Sequence, residues 1–467
     1  MAMGVRLGLI VLVSLALAGA ATAAPMTCVV PAAEGDPAYA QGVMALTESA
    51  LRDLPESCVA PRRQTCWVLS DLSVAQDQAP RPDEAIEAAT RIGAEVVIFA
   101  GLRRDGADWV ATSTHLTRRD PQLQPPIEAR STSAQGALRD ALTQVMSRLS
   151  EAQLSPGDAV HFVWPPTSSD DALLAFFEGC GLDSRPEEAP AAERAFRRAI
   201  DLDPAFTLAH KEYSGLLREL GRKSEAAEEL RLALERRPDM AILLSNLGAA
   251  LADLEEFDEA EDALSQAINL GTDLLAAAYA HNNLGLVYRR QKLLDRAMTE
   301  FERARRMLPR YSMAHANVAW IHMELEQYDQ AQEVLRRVVE FRNDRAALAY
   351  AHRLLGDIAL RQERYDEAVA AYQAALQVRP DYAMVYVQIG YTEKRRGNVS
   401  AAKEAYTAAI GLNTDPTATA YAHNSLGNIY RDEGGTGKAA AEYEAALRIM
   451  PDYELARKNL EKLTGGR

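Results

Sequence analysis

His281-Asn282-Asn283-Leu284-Gly285-Leu286-Val287-Tyr288, followed by Ala297, Phe301, Ala304 and Pro309, sets a pattern that recurs through more than half of this chain. Gly248, Ala319, Gly356, Gly390 and Gly427 stand where Gly285 stands, each with Leu, Ile or Val immediately before it. Ala192, Ala226, Ala260, Ala331, Ala368, Ala402 and Ala439 share the place of Ala297, and the series including Ala297 advances by 34, 34, 37, 34, 37, 34 and 37 residues. Small residues at one place in each of two helical segments let the pair approach closely, while Leu247, Tyr288, Phe301, Tyr372 and Tyr443 fill the space around the contact. Pro204, Pro238, Pro309, Pro380 and Pro451 follow the second segments, where proline stops a helix because it has no N–H and disfavours a helical residue before it. A fixed period of this length is the mark of stacked repeats, here eight helical hairpins over residues 172–451.

The motif resembles the tetratricopeptide repeat (TPR) consensus over residues 205–451. It does so less closely over 172–204, where the first segment departs around Phe176 to Asp183. The resemblance implies an all-α TPR solenoid, a right-handed superhelix of helical hairpins whose first helices line a concave wall that binds segments of other proteins. Ala-Tyr-Ala-His recurs with its Tyr at 279, 350 and 421, 71 residues apart, so repeats were duplicated in pairs. The longer member of each pair places three extra residues before that Tyr, which predicts an irregular edge at every second hairpin. Residues 452–467 read as a capping helix and tail, with apolar positions between Tyr453 and Leu463 alternating with Glu454, Arg457, Lys458 and Lys462.

The predicted wall carries Tyr279, Met313, Tyr350, Met384 and Tyr421 in its first turns, a stripe that suits either an apolar groove or contact between neighbouring hairpins. Asn246, Asn283 and Asn317 precede the small position, where the family's asparagine bonds the backbone of a bound peptide. Trp320 follows it and joins the candidates. Arg218, Arg289, Arg290, Arg361, Lys394, Arg395 and Arg431 end the first helices. They would either select a partner's carboxylates or offset the helix macrodipole, at about 0.3–1 kcal/mol each. His210, His281, His315, His352 and His423 share one place in their repeats. Stacked hairpins hold such positions about 8–10 Å apart, too far for one metal ion whose ligands must all come within about 2 Å. No metal or cofactor is expected. Neither a Walker loop, a GxSxG elbow, HExxH nor a kinase set is present, so the expectation is a binding protein and not an enzyme. The competing reading gives the N-terminal region an enzymatic or small-molecule site, with the repeats recruiting substrate. A formal charge of -15 argues against a nucleic-acid partner.

Residues 1–23 read as an export signal: Arg6 alone is charged, Leu7 to Ala18 is nearly all apolar, and Ala21-Thr22-Ala23 offers a cleavage site. The mature chain then begins near Ala24, without a membrane span, in the periplasm; secretion and an uncleaved anchor are the alternatives. Residues 24–150 predict a small α/β domain. Its elements are helices at Gln41 to Leu54, Pro82 to Ile92 and Gln135 to Leu149, a strand at Thr65 to Leu72, and a hairpin of Glu95 to Gly101 with Trp109 to Leu116 around Asp105-Gly106. The stretch Gly93 to Gly106 resembles small α/β domains that precede repeats in bacterial envelope and signalling proteins. Residues 151–171 read as a linker. Among the cysteines, Cys58 and Cys66 could close a short disulfide loop and leave Cys28 with Cys180, or all four could be buried thiols. The reading is an exported scaffold that holds a protein segment, with carboxylates as the chemistry its cations would select, or that self-associates.

Overall fold

The computed structural model describes residues 26–31, 41, 43–44, 58–59, 79–92, 94–117, 122–149, 167, 169–182, 188–271 and 273–465. The export signal, the strand expected at Thr65 to Leu72, most of the linker, and Cys66 with its proposed disulfide lie outside these residues. Contacts divide the chain into two compact units, Met1–Ala314 and His315–Arg467.

The first unit opens with a five-stranded sheet of order β2-β1-β3-β4-β5. Its strands are β1 (Met26–Pro31), β2 (Cys58–Val59), β3 (Ala94–Asp105), β4 (Asp108–Thr117) and β5 (Ile127–Ser131). β1 runs parallel to β2 and β3, pairing Val30 with Phe99, while β3, β4 and β5 form an antiparallel meander. The β3–β4 turn falls at Asp105-Gly106 as expected, with Gly106 at φ 66°, a conformation open to glycine at little cost. β1, β2 and β5 were not foreseen. Alternation turns Ile98, Ala100 and Leu102 to the face covered by α2 (Ala134–Leu149), where Leu138 and Val145 are buried. Val97 and Phe99 turn to the other face, where α1 (Pro82–Ile92) lies along β3 and β1 with Ala85, Ala88, Ala89 and Ile92 buried.

Helical hairpins follow. In the first unit they are α3 (Asp170–Leu182) with α4 (Ala189–Leu202), α5 (Thr207–Glu219) with α6 (Lys223–Arg236), α7 (Ala241–Asp253) with α8 (Phe257–Leu270), and α9 (Leu274–Arg290) with α10 (Leu294–Met307). α11 (Ser312–Glu324) carries the division between units. The second unit continues with α12 (Tyr328–Phe341), then α13 (Arg345–Arg361) with α14 (Tyr365–Val378), and α15 (Ala383–Arg396) with α16 (Val399–Leu412). It ends with α17 (Pro416–Asp432) paired with α18 (Thr436–Ile449), and α19 (Glu454–Thr464).

One steric rule closes each hairpin. A Cβ added at Gly285 would meet the Phe301 ring at 2.5 Å; at Gly356, Tyr372 at 2.4 Å; at Gly390, Tyr406 at 2.7 Å; and at Gly427, Tyr443 at 2.5 Å. Gly179 holds the same place against Phe196 at 2.7 Å. Its partner is one residue further along the chain than in the other hairpins, which is why the first repeat fell out of register in the sequence. Cys180, beside Gly179, is buried in this core, and the Cys28 side chain lies outside the described residues.

Within each hairpin from α5 to α18, the first helix ends in one turn geometry. Gly221, Glu255, Lys292, Glu326, Glu363, Gly397 and Gly434 all have φ between 59 and 91°. The amide after each reaches back to a carbonyl five residues earlier, as from Leu293 to Tyr288 at 2.9 Å, satisfying carbonyls that a helix end leaves open. The three-residue insertions set off every second hairpin, and they do so as added helix. Asp273, Asp344 and Asp415 cap the following helices by accepting backbone N–H bonds, so α9, α13 and α17 reach 17 residues against 13 in α5 and α7. The insertion becomes one more helical turn. Gly271, Arg342 and Asn413, all left-handed, end the helix before it.

Gly356→Ala should lower stability by about 1–3 kcal/mol through overpacking against Tyr372, whereas Lys292→Gly or Glu363→Gly should raise it by about 0.5–1 kcal/mol by relieving a left-handed non-glycine residue. Urea-unfolding midpoints measure both. Burial raises the Tyr406 hydroxyl from 10.0 to about 12, against a hydrogen bond from Ser425. The unfolded tyrosine therefore releases its proton first, and between these values stability falls as pH rises. From about pH 9 to about pH 11, wild type should lose about 1 kcal/mol more than Tyr406→Phe in the same titration.

Candidate functional site

The first helices of neighbouring hairpins lie side by side, α7 with α9 in the first unit and α15 with α17 in the second. Their outward residues form the face on which the candidate residues were expected.

In the first unit Asn246 is half-buried on α7. Asn283, one repeat on, donates from Nδ2 to the Ser245 carbonyl at 3.5 Å, so this amide bridges two hairpins. Arg290 donates to the Ala252 carbonyl and stands 3.5 Å from Asp253. Asp253 also takes Arg218 from the preceding hairpin at 2.8 Å, and one carboxylate thereby gathers cations from both neighbours. Arg289 is half-buried beside them. Tyr279 stacks on Tyr311 with ring centroids 4.9 Å apart.

The second unit repeats this economy. Asn317 is 1% exposed and Trp320 is half-buried. Arg361 reaches back to the Met323 carbonyl at 3.2 Å and to Glu324 at 2.6 Å. Lys394 pairs with Asp432 at 3.4 Å, Arg395 with Glu363 at 3.2 Å, and Arg431 with Asp432 at 2.8 Å. The Arg353 guanidinium lies over Tyr350 at 5.0 Å and bonds Asp357 at 2.7 Å. Tyr421 packs on Tyr453 at 5.2 Å. Asn459 of α19 donates to Asn424 at 2.9 Å, continuing the Asn series and fixing the last helix on α17. Tyr279, Tyr421, Arg361, Lys394 and Arg395 thus carry contacts to a neighbouring repeat, while Tyr350 and Arg431 meet partners on their own helices.

Tyr391 was not singled out in the sequence, yet it is 44% exposed, and it follows Gly390 as Trp320 follows Ala319. Gln388 and Met384 are half-buried on the same helix, and Tyr421 and Ser425 are half-buried on the adjacent α17. Together they form an aromatic, thioether and amide surface.

The histidines are packing groups. Nδ1 of His210, His281 and His423 sits 2.6 Å from Glu229, Glu300 and Glu442 respectively, on the second helix of the same hairpin. Where Leu244 and Ala263 replace such a pair, a cavity of about 360 Å³ opens, lined also by Leu247, Leu251 and Arg231. Among the described residues no group of three or more His, Cys, Asp or Glu could hold a metal ion, and no helix there is long and apolar enough to cross a membrane.

A run of helical hairpins with a small residue seated on a large one in nearly every pair defines a helical-repeat protein. Profiles of the tetratricopeptide repeat match residues 187–241, 239–310, 309–381 and 387–454, and the chain belongs to that family. It is similar to Homo sapiens Protein O-mannosyl-transferase TMTC1, with 26% identity over 226 residues, 48% of this chain and 24% of that protein. It is also similar to the Hsp70-Hsp90 organising protein of Plasmodium falciparum (isolate 3D7), with 30% identity over 172 residues, 36% of this chain and 28% of that one. The chain thus spans about a quarter of the length of these relatives. Among solved structures, that of the APC/C hetero-tetramer Cut9-Hcn1 aligns at a TM-score of 0.47 and 18% identity, over 64% of this chain and 56% of that one.

Asp253→Ala should cost about 1 kcal/mol at low salt and less at high salt, because it releases Arg218 and Arg290 together. Adding Arg290→Ala should cost less than the sum of the two single changes, which a double-mutant cycle reads.

Proposed function

We propose that this tetratricopeptide protein is an exported scaffold that holds a segment of another protein on the first-helix face of its second unit, around α15 and α17. The carrying observation is Tyr391, a large aromatic 44% exposed beside Met384, Gln388, Tyr421 and Ser425. Aromatic and thioether groups supply adaptable apolar area, and amides and hydroxyls bond a backbone without requiring charge. The nearby cations already meet carboxylates of the chain. The favoured occupant is therefore an uncharged or apolar segment that offers backbone groups, more than an acidic one.

Names among the relatives support a binding role: the Plasmodium protein is described as an organising protein, and a Homo sapiens relative, 26% identical over 178 residues, as the mitochondrial import receptor subunit TOM70. The transferase activity in the name of the first relative belongs to a protein of which the chain matches 24%. Export is supported by Arg6, the apolar run Leu7 to Ala18 and Ala21-Thr22-Ala23.

Affinity capture from the native envelope fraction should retain a partner with wild type and lose at least about 1.4 kcal/mol of binding, roughly tenfold, with Tyr391→Ala/Gln388→Ala at unchanged helicity and melting. Capture indifferent to the double variant would remove the face assignment. N-terminal sequencing of the secreted or periplasmic chain should begin at Ala24; an intact Met1 would remove the cleavage assignment.

A further inference from the structure

The N-terminal sheet does not stand apart from the hairpins of its unit. Ile98, Leu102, Trp109, Leu138 and Val145 belong to one buried cluster with Phe176, Phe196, Phe206 and Tyr213 of the first two hairpins. Thr167 bonds Asp203, and Ser169 caps α3, tying the chain that enters the first hairpin to that hairpin. Further along, β2 lies against α9, a first helix that carries Tyr279, Asn283, Arg289 and Arg290.

Arg310, between α10 and α11, donates from Nε to the carbonyl of Arg91 at 3.0 Å, in the last turn of α1. The C-terminus of a helix presents open carbonyls and partial negative charge, and a guanidinium there meets both. The next residue, Tyr311, stacks on Tyr279 of α9. The sequence singles out this contact. Arg310 follows Pro309, whereas after the equivalent Pro238, Pro380 and Pro451 the chain carries Asp239, Asp381 and Asp452, and after Pro204 the neutral Ala205. Asp239 and Asp381 pair with the local Arg237 and Arg379. An aspartate in the place of Arg310 would repel the end of α1. The charge is reversed only in the hairpin that α1 meets.

We propose that the N-terminal α/β domain is a resident ligand of the first-helix face of its own unit, docked over the Tyr279–Tyr311 end through Arg310, and that a partner reaches this face only by displacing it. The proposal rests on reading the first helices as the binding face. It makes the open face of the second unit the site of first engagement, with the face of α9 a second, gated site.

The test uses the full-length chain and needs no partner. Arg310→Asp, which installs the residue found after Pro238, Pro380 and Pro451, is compared with Arg310→Lys and wild type by hydroxyl-radical footprinting and amide hydrogen exchange. Docking predicts at least a twofold rise in labelling of Tyr279 and Tyr311 and faster exchange over residues 82–92 in Arg310→Asp. Arg310→Lys should stay near wild type, and labelling at Tyr350 and Tyr421 should not change. Wild-type values throughout in Arg310→Asp would overturn the latch. Increased labelling of Phe301, buried inside the hairpin, would also overturn it, because the change would then have opened the repeat itself. Failure of the first-helix-face reading shows separately, as capture indifferent to Tyr391→Ala/Gln388→Ala with the footprint unaffected.

Discussion

The contact on which the rest of the structure depends is a glycine or other small residue on each first helix, seated against a large side chain on the second. Gly356 under Tyr372 and Gly427 under Tyr443 show it plainly, since a methyl group at either would come within 2.5 Å of the ring. Close approach brings the helices near enough for polar groups to bond across the same interface. The Tyr372 hydroxyl donates to Asp357 and that of Tyr443 to Asn428, at 2.7 and 2.9 Å. Buried tyrosines thereby supply apolar area and leave no orphaned hydroxyl. The His–Glu pairs across three hairpins use the same proximity.

This explains which parts of the molecule could be read from residues alone. Helix pairing depends on residue size at fixed spacing, and size is written in the sequence, so Gly285 and Ala297 announce their hairpin. Contacts whose partner lies a repeat away are hidden. Arg290 and Arg361 show their charge but not that Ala252 and Glu324 receive it, and they look like groups awaiting a ligand. The strands divide in the same manner. β3 and β4 are joined by Asp105-Gly106, a local turn signal, whereas β1 pairs in parallel with residues far along the chain and has no such mark. β5 is five residues long with Ile127 and Ala129 as its buried positions, too few to make a period. Tyr391 escaped notice because its helix shows the same Gly-centred pattern as the others, and only exposure separates it from Trp320.

The long repeats show how a small insertion can change geometry without disturbing the stack. An aspartate whose side chain accepts amides of the next turn makes helix the lowest-energy course for the inserted residues. The Asp at 273, 344 and 415 therefore lengthens every second first helix at the end where Tyr279, Tyr350 and Tyr421 sit. Beyond the added turn, Tyr279 and Tyr421 pack against Tyr311 and Tyr453, which precede α11 and α19. In the middle repeat, Tyr350 instead lies under Arg353 of its own helix, a cation–π contact within α13. At Tyr279 and Tyr421 the aromatic stripe thus joins a long repeat to the helix that follows it.

Once the stripe and the cations are assigned to stacking, specificity has to come from positions that stacking does not constrain. A repeat protein built by duplication begins with equivalent residues at every such position, and it acquires distinct sites only where a residue departs from its equivalents. Two departures stand out by their physical effect. Tyr391 places an exposed ring where Asp357 and Asn428 face their own hairpins with hydrogen bonds to Tyr372 and Tyr443. Arg310 places a cation where three other hairpin ends carry aspartate, and that cation meets the end of α1. The first leaves an apolar surface uncovered and the second holds a domain over another. Both use positions whose substitution leaves the glycine–aromatic seats intact, and the stack could accept them without loss of its own stability.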